Sequence, residues 1–566
     1  MNPDNRNLIA AIALSMLILI VYQVYFIPET PPQEEGFTGQ TVENLPTTPE
    51  VSVASGDVPA ATTAPRIDML SNNVAGSISL ASGRIDDLRL IQFGETSLDD
   101  ENRVALLRKS GEEDSYFAEI NFLNNNSQRM IDRDAIWNAD GNLLTPTSPL
   151  TLRHTNDAGV DFTIKYTIDD QYLITMTADV TNNSEDIINV RHFARMLRNK
   201  PSENAFFISY EGPIGVFEED VKQEFGYDDI ADLKGGAESY VSEDVKGWIG
   251  ITDKFWLTAL VPERQDDVTF SFRRAAGAGL KTQVDALTTP AKIAVGESAS
   301  RTFSVFAGPK EVDVLTAYND SAGIERLDHA IDWGWFPFLT KPFFTALNWM
   351  NGLFGNFGLA ILGLTVIVKL IFFPLANRSY RSMAKMRELA PKVQELRERF
   401  SDDKQRQQQE MMQLYRAEKV NPAAGCLPIL LQIPVFFALY KVLFINIQMR
   451  HAPFYGWIED LSALDPTSIL NLFGLLPYST AGFPDFMNLG VWPILMGITM
   501  YVQMSLNPPP PDPVQAKVFK FMPLFFTFLL ATFPAGLVIY WTWNNLLSII
   551  QQWYIMQSIK KVGKKA

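Results

Sequence analysis

The chain has 566 residues, 47% of them hydrophobic and 20% charged, with a formal net charge of −16. That balance excludes a disordered chain, a collagen and a coiled-coil rod, and the acidity argues against a DNA-binding protein, which needs a basic face. The single cysteine, Cys426, excludes an intramolecular disulfide framework and any cysteine-rich metal centre, and four scattered histidines make a poor metal set.

The charge is uneven. Residues 28–332 carry a net −25 and the remainder a net +9, so an acidic polar half is joined to a basic apolar half. Two halves of that kind suit two solvents.

Residues 8–27 (LIAAIALSMLILIVYQVYFI) form a near-continuous apolar run. At ~1.5 Å per residue it reaches across a hydrocarbon core of ~30 Å. A cleaved signal peptide is the rival reading, but its apolar region is shorter and ends at small residues. This run ends in Tyr22, Tyr25 and Phe26, which suit the membrane interface, so residues 1–27 are predicted to be an uncleaved transmembrane anchor. Residues 28–65, rich in Pro, Thr, Glu, Ser and Gly, read as a flexible linker.

Residues 66–332 turn to period-two alternation. In 161–180, Phe162, Ile164, Tyr166 and Ile168 face one way. Tyr172, Ile174, Met176, Ala178 and Val180 follow a turn at Asp169-Asp170. Similar short strands recur at 76–93, 248–261, 268–272 and 300–306, without βαβ alternation. The prediction is a large antiparallel β-sandwich.

Residues 333–353 are aromatic-rich and suit the membrane interface rather than a crossing. Spans follow at about 357–375, 423–445, 489–506, 519–533 and 536–550, the last two split by a tight turn at Phe533-Pro534-Ala535. The apolar piece 469–477 is too short to span. The predicted fold is therefore a mixed membrane protein with six transmembrane helices: the N-terminal anchor and a five-helix core over 354–553. A basic tail, 554–566, closes the chain. The basic residues cluster at 376–422 and in the tail, whereas the loop 446–488 carries only Arg450. The positive-inside rule places both termini in the cytosol and exports the acidic sandwich, to the periplasm in a bacterium.

Residues 377–422 read as a cytosolic helical hairpin. Met383, Met386, Leu389, Val393, Leu396 and Phe400 recur at three and four. Pro391 is a candidate kink, and Ser401-Asp402-Asp403 a break that caps a second helix. Its Arg378, Arg381, Lys385, Arg387, Arg397 and Arg399 suit anionic lipid headgroups or ribosomal RNA. A solvated connector is the plainer reading.

No metalloprotease, serine-hydrolase, P-loop or dithiol motif is present, and the chain is not expected to be an enzyme or to need a cofactor. Lys369 stands out. It lies in an otherwise apolar span, where a cation costs ~3 kcal/mol on insertion scales. Two readings stand: it snorkels to the cytosolic interface, or it faces a wet cavity between helices. Thr365 lies one turn before it. Gln432, Thr542, Asn544, Asn545 and Ser548 add polar groups in other spans, each ordinarily interhelical glue. No Asp or Glu lies in the five spans, which disfavours an ion-coupled transporter. A solute transporter or channel with an exported ligand-binding domain is the alternative function, and an envelope-polysaccharide enzyme a third.

The stretch 377–443 (from NRSYRSMAKMRELAPKVQELRERF to QIPVFFALYKVL), with 450–466 (RHAPFYGWIEDLSALDP), LMGITMYVQ at 495–503 and FPAGLVIYWTWNNLLSIIQQ at 533–552, resembles the YidC membrane-protein insertases. The opening DNRNLIAAIALS resembles the long Gram-negative form. The resemblance implies an inner-membrane insertase and chaperone that receives nascent membrane proteins from ribosomes, alone or beside the Sec translocon. It implies a groove open to cytosol and lipid with one positive charge, here at Lys369, where many relatives carry Arg. With the polar residues read from the spans, the substrate groove is expected at Lys369, Thr365, Gln432, Thr542, Asn544, Asn545 and Ser548. The insertion 467–488 departs from the family pattern.

Overall fold

The computed structural model describes residues 64–97, 100–201, 210–217, 221–233, 236–242, 247–264, 267–275, 281–401, 403–418, 427–480, 482–484, 487–507 and 513–563. The predicted anchor and all but the end of the predicted linker lie outside them. The chain divides into two compact units, one reaching Trp335 and one starting at Phe336.

The first unit is a sandwich of an 11-stranded and a 9-stranded sheet. Val160–Ile168 pairs antiparallel with Leu173–Asn182. The nine side chains predicted to face the core from 162–180 are all buried. The sheets meet face to face: the Phe122 and Phe162 ring centroids lie 4.8 Å apart, and Tyr166 donates its hydroxyl to the Gly83 carbonyl at 2.5 Å. One pairing corrects the all-antiparallel expectation. Arg66–Leu70 runs parallel to Leu143–Leu144, which the long connection between them permits. Among the described residues two α-helices decorate the unit, α1 (Tyr227–Ala231) and α2 (Val312–Ala322).

A charged cluster sits on the opposite face of the larger sheet. Register places Glu119 beside Arg195. The Glu119 carboxylate also accepts from Arg84 Nε at 2.8 Å and pairs with Arg129 at 3.0 Å. Burial raises this carboxyl, but Arg195, Arg84 and Arg129 prevail and hold it well below the usual range. His192 is buried, with Nε2 3.1 Å from the Ala178 carbonyl. Burial, with Arg301 nearby, lowers it to about 4.

The second unit is helical: α3 (Pro337–Phe354), α4 (Phe357–Ile371), α5 (Phe373–Arg399), α6 (Lys404–Ala417), α7 (Leu427–Ile445), α8 (Val491–Ser505), α9 (Pro513–Leu530) and α10 (Ala535–Gly563). Boundaries differ from the sequence reading in three places. The span predicted over 357–375 ends at Ile371, where α4 and α5 meet at 66°. Pro374 explains this, since its ring and missing N–H cannot continue the α4 ladder but fit a helix's first turn. α9 begins six residues before the predicted 519, and α10 continues through most of the predicted tail. Among the described residues no single helix is long and apolar enough to cross a membrane. The bent pair α4 and α5 passes together, by length and composition. The reason is local: α4 and α8 have 15 residues each, ~22 Å of helix, and α9 and α10 are diluted by Lys, Asn and Gln.

The loop between α7 and α8 ties the helix starts together. Ala535 and Gly536 donate their N–H groups to the carbonyls of Ala463 and Leu461 at 2.7 and 2.9 Å, satisfying the first turn of α10. Asp465 does the same for α8, accepting from Trp492 N at 2.9 Å.

Candidate functional site

α10 organises the candidate site, packing against α4, α5, α7 and α8. Asn544, Ser548 and Gln552 recur every four residues and share one face. All three are buried.

Lys369 lies in the last turn of α4, half-buried, one turn beyond the buried Thr365. Its Nζ donates to Ser548 Oγ at 2.8 Å. Ser548 Oγ donates in turn to the Asn544 carbonyl at 2.8 Å. Tyr380 of α5 is hydrogen-bonded to the same serine. One hydroxyl thus joins α4, α5 and α10. Among the described residues no carboxylate forms an ion pair with Lys369. A compact ammonium with three donors suits such a place, holding one fixed bond and presenting the rest.

The other predicted groove residues divide. Thr365 and Thr542 bond back to the Ile361 and Val538 carbonyls of their own helices, at 2.7 and 2.8 Å. Gln432 donates to the Tyr540 hydroxyl at 3.2 Å, two turns along α10 from Ser548. Asn545 turns to α8, donating to Thr499 Oγ1 at 3.4 Å. Asn544 Oδ1 is buried with no partner among the described residues. The predicted set therefore forms a polar seam along α10 rather than one cluster around Lys369.

Four residues escaped the sequence reading, three of them bonded within the seam. Gln552 donates to Leu506 O and Asn507 Oδ1, both at 3.2 Å, closing the end of α8, while its own Oε1 is buried without a partner. Its four-residue spacing from Ser548 was a usable signal. Tyr380 and Tyr540 gave none, since a tyrosine in an apolar segment reads as core or interface. Lys441 of α7, 6% exposed, is more deeply buried than Lys369, and the apolar run around it concealed it.

The predicted contact residues lie on α5. Ser379, Met383, Leu389 and Val393 form its buried stripe, while Arg378, Arg381, Lys385, Arg387 and Arg399 are exposed and Arg397 half-buried. Pro391 sits inside α5 without ending it. Asp403 caps α6 as expected, accepting from Arg406 N at 3.0 Å. α6 folds back on α5: Gln407 donates to the Arg397 carbonyl at 2.9 Å, and Lys392 pairs with Glu418 at 2.9 Å. Among the described residues no cluster of His, Cys, Asp or Glu suits a metal ion. A cavity of about 280 Å³, lined in part by Glu263, Arg264, Thr302, Ser304 and Glu325, belongs to the β unit and not to this seam.

A β-sandwich unit followed by a helical unit with a half-buried lysine bonded across its helices defines a two-part architecture, and comparison supplies the family. The family described as YidC periplasmic domain matches residues 66–346, and that described as 60Kd inner membrane protein matches residues 349–562. The membrane protein insertase YidC of Brucella suis biovar 1 (strain 1330) is 44% identical over 98% of this chain and 96% of its own length. That of Rickettsia canadensis (strain McKiel) is 46% identical over 98% and 99%. The chain belongs to the YidC family of membrane protein insertases. Among solved structures, an active YidC insertase with its first transmembrane domain resolved is similar at 19% identity and a TM-score of 0.36, covering 86% of this chain and 91% of its own. A likeness that slight carries no weight.

Proposed function

We propose that this chain is an insertase and chaperone for nascent inner-membrane proteins, acting alone or with the Sec translocon through a hydrophilic groove with one positive charge at Lys369. The observation that supports this reading is the bond from Lys369 to Ser548, which turns the ammonium toward a neighbouring helix. The substrate's apolar segment brings a polar, often acidic, flank. Left bare in hydrocarbon, that flank costs several kcal/mol. Lys369 and the seam of Ser548, Asn544, Asn545, Thr542, Thr365 and Gln432 solvate it. The buried acceptor oxygens of Asn544 and Gln552 attract donors from the same flank. The apolar segment then leaves for lipid, driven by burial away from water.

In this reading five core spans and the N-terminal anchor cross the inner membrane, with both termini cytosolic and the sandwich in the periplasm. α5 and α6 form the cytosolic hairpin. Its exposed Arg378, Arg381, Lys385, Arg387 and Arg399, with Arg397, meet ribosome, substrate or anionic lipid.

The test is reconstitution. Purified chain in proteoliposomes inserts a small single-span substrate with an acidic exported flank, without nucleotide, and protease protection reports the insertion. Solute flux without insertion overturns the proposal in favour of a transporter.

A further inference from the structure

The insertion 467–488 is built as an inside-out loop. Its base is clamped to the first turn of α8. Thr467 Oγ1 accepts from Val491 N at 3.0 Å, while Asp465 accepts from Thr467 N at 3.0 Å and from Trp492 N at 2.9 Å. Ile469 N reaches the Leu489 carbonyl at 2.9 Å, closing the neck. Polar groups then point inward. Ser468 Oγ donates to Asn488 Oδ1 at 3.1 Å, and Asn488 donates to the Thr480 and Phe483 carbonyls at 3.3 and 3.4 Å. Large apolar groups point outward: Leu475 is 83% exposed, and Ile469, Leu472, Phe473, Phe483 and Met487 are exposed with it. Leu472 and Phe473 are held at φ of 51° and 59°, a region costly for bulky side chains. That turn displays their side chains instead of burying them.

We infer that this loop is an interfacial membrane anchor whose apolar side chains enter the lipid leaflet on the side where α8 begins. The inference rests on the insertase reading above for the presence of a bilayer around α8. Three observations select lipid as the occupant. The loop is continuous with α8, whose Ile498 and Tyr501 are likewise exposed, so the loop extends a lipid-facing surface. The sequence 467–490 has one charged residue, Asp485, so no ionic partner is written into it. Among its described residues, most backbone N–H groups bond to the loop's own side chains and carbonyls, which an irregular segment needs at a membrane surface. The clamp at Asp465 and Thr467 then fixes the register of α8 against the membrane.

The test uses the full chain with Cys426→Ser and a single new cysteine, Leu475→Cys or Phe483→Cys, labelled with an environment-sensitive dye and reconstituted in phosphatidylcholine vesicles. Glu112→Cys, on an exposed position of the β unit, is the aqueous control. The expected result is a blue-shifted dye, quenched by spin-labelled lipid at a depth of about 5–10 Å and shielded from iodide. Adding anionic lipid leaves it unchanged, because the loop has no cations. Iodide quenching equal to the Glu112→Cys control overturns the inference. So does shielding from both quenchers, which means a protein covers the loop, and so does shielding only when substrate is engaged, which makes the loop a nascent-chain dock. Insertion by the same vesicles is scored separately: active vesicles with an aqueous loop defeat the anchor alone, and inactive vesicles defeat the insertase reading whatever the dye reports.

Discussion

Lys369 and Ser548 lie 179 residues apart in sequence, yet the lysine Nζ donates to the serine Oγ at 2.8 Å. That bond fixes where the charge points. Ser548→Ala removes the acceptor but keeps the charge, a loss of about 0.5–1.5 kcal/mol, or roughly two- to tenfold in insertion. Lys369→Ala removes the charge and reduces insertion further, most for acidic-flanked substrates, while Lys369→Arg retains most activity. Protease protection in proteoliposomes, run with acidic- and neutral-flanked substrates, checks the order. Equal loss across substrates rules out an electrostatic role.

The exposed basic face of α5 predicts a salt-sensitive contact. Changing Arg378, Arg381, Lys385 and Arg387 together to Gln weakens binding to ribosomes or anionic vesicles and flattens its salt dependence. Cosedimentation across a salt series measures this. An unchanged slope assigns the four residues to solvent alone.

Glu119 is fully buried among arginines, and its carboxyl lies well below the ordinary value of 4.5. A depressed carboxyl stabilises the fold above that ordinary value, and the stabilisation is lost as pH falls toward the folded value. Glu119→Gln strands the guanidiniums of Arg195, Arg84 and Arg129 and costs roughly 3–5 kcal/mol. Hydrogen exchange in the strands Tyr116–Leu123 and Ile188–Arg198 of the full chain accelerates accordingly.

His192 titrates in the same sense, in a higher pH window. Burial lowers it from 6.5 to about 4, so the unfolded chain binds the extra proton first. Stability from this site is complete above pH 6.5 and declines by about 3 kcal/mol as pH falls to 4. His192→Gln keeps a donor for the Ala178 carbonyl and removes that slope. Denaturation of the β unit followed between pH 4 and 7 tests it.

Asp465 holds Trp457, Thr467 and the first turn of α8 through one carboxylate. Asp465→Ala strands those donors at about 1–3 kcal/mol and frays the start of α8. Gly490→Ala acts on the same joint, since its Cβ would meet the Asp465 carboxyl carbon at 2.5 Å. Faster exchange confined to the beginning of Val491–Ser505 is the expected signature.

Local pattern was enough for much of this protein. Alternation at 162–180 fixed two strands and their buried face, because a strand's period of two depends only on neighbours. The apolar runs, the basic 377–422 segment and the lysine at 369 declared a membrane class for the same reason: hydrocarbon rejects charge wherever the chain folds. What sequence left open was pairing. Gln432 and Asn545 were gathered around Lys369 on composition, but the packing of α10 sends one to Tyr540 and the other to Thr499. Glu119 read as one acid among many until two other strands and a loop brought arginines to it. The bend at Phe372, the clamp at Asp465 and the choice of Ser548 as partner were likewise decided by tertiary structure, because a hydrogen bond depends on which helix faces come together, and no spacing along the chain encodes that.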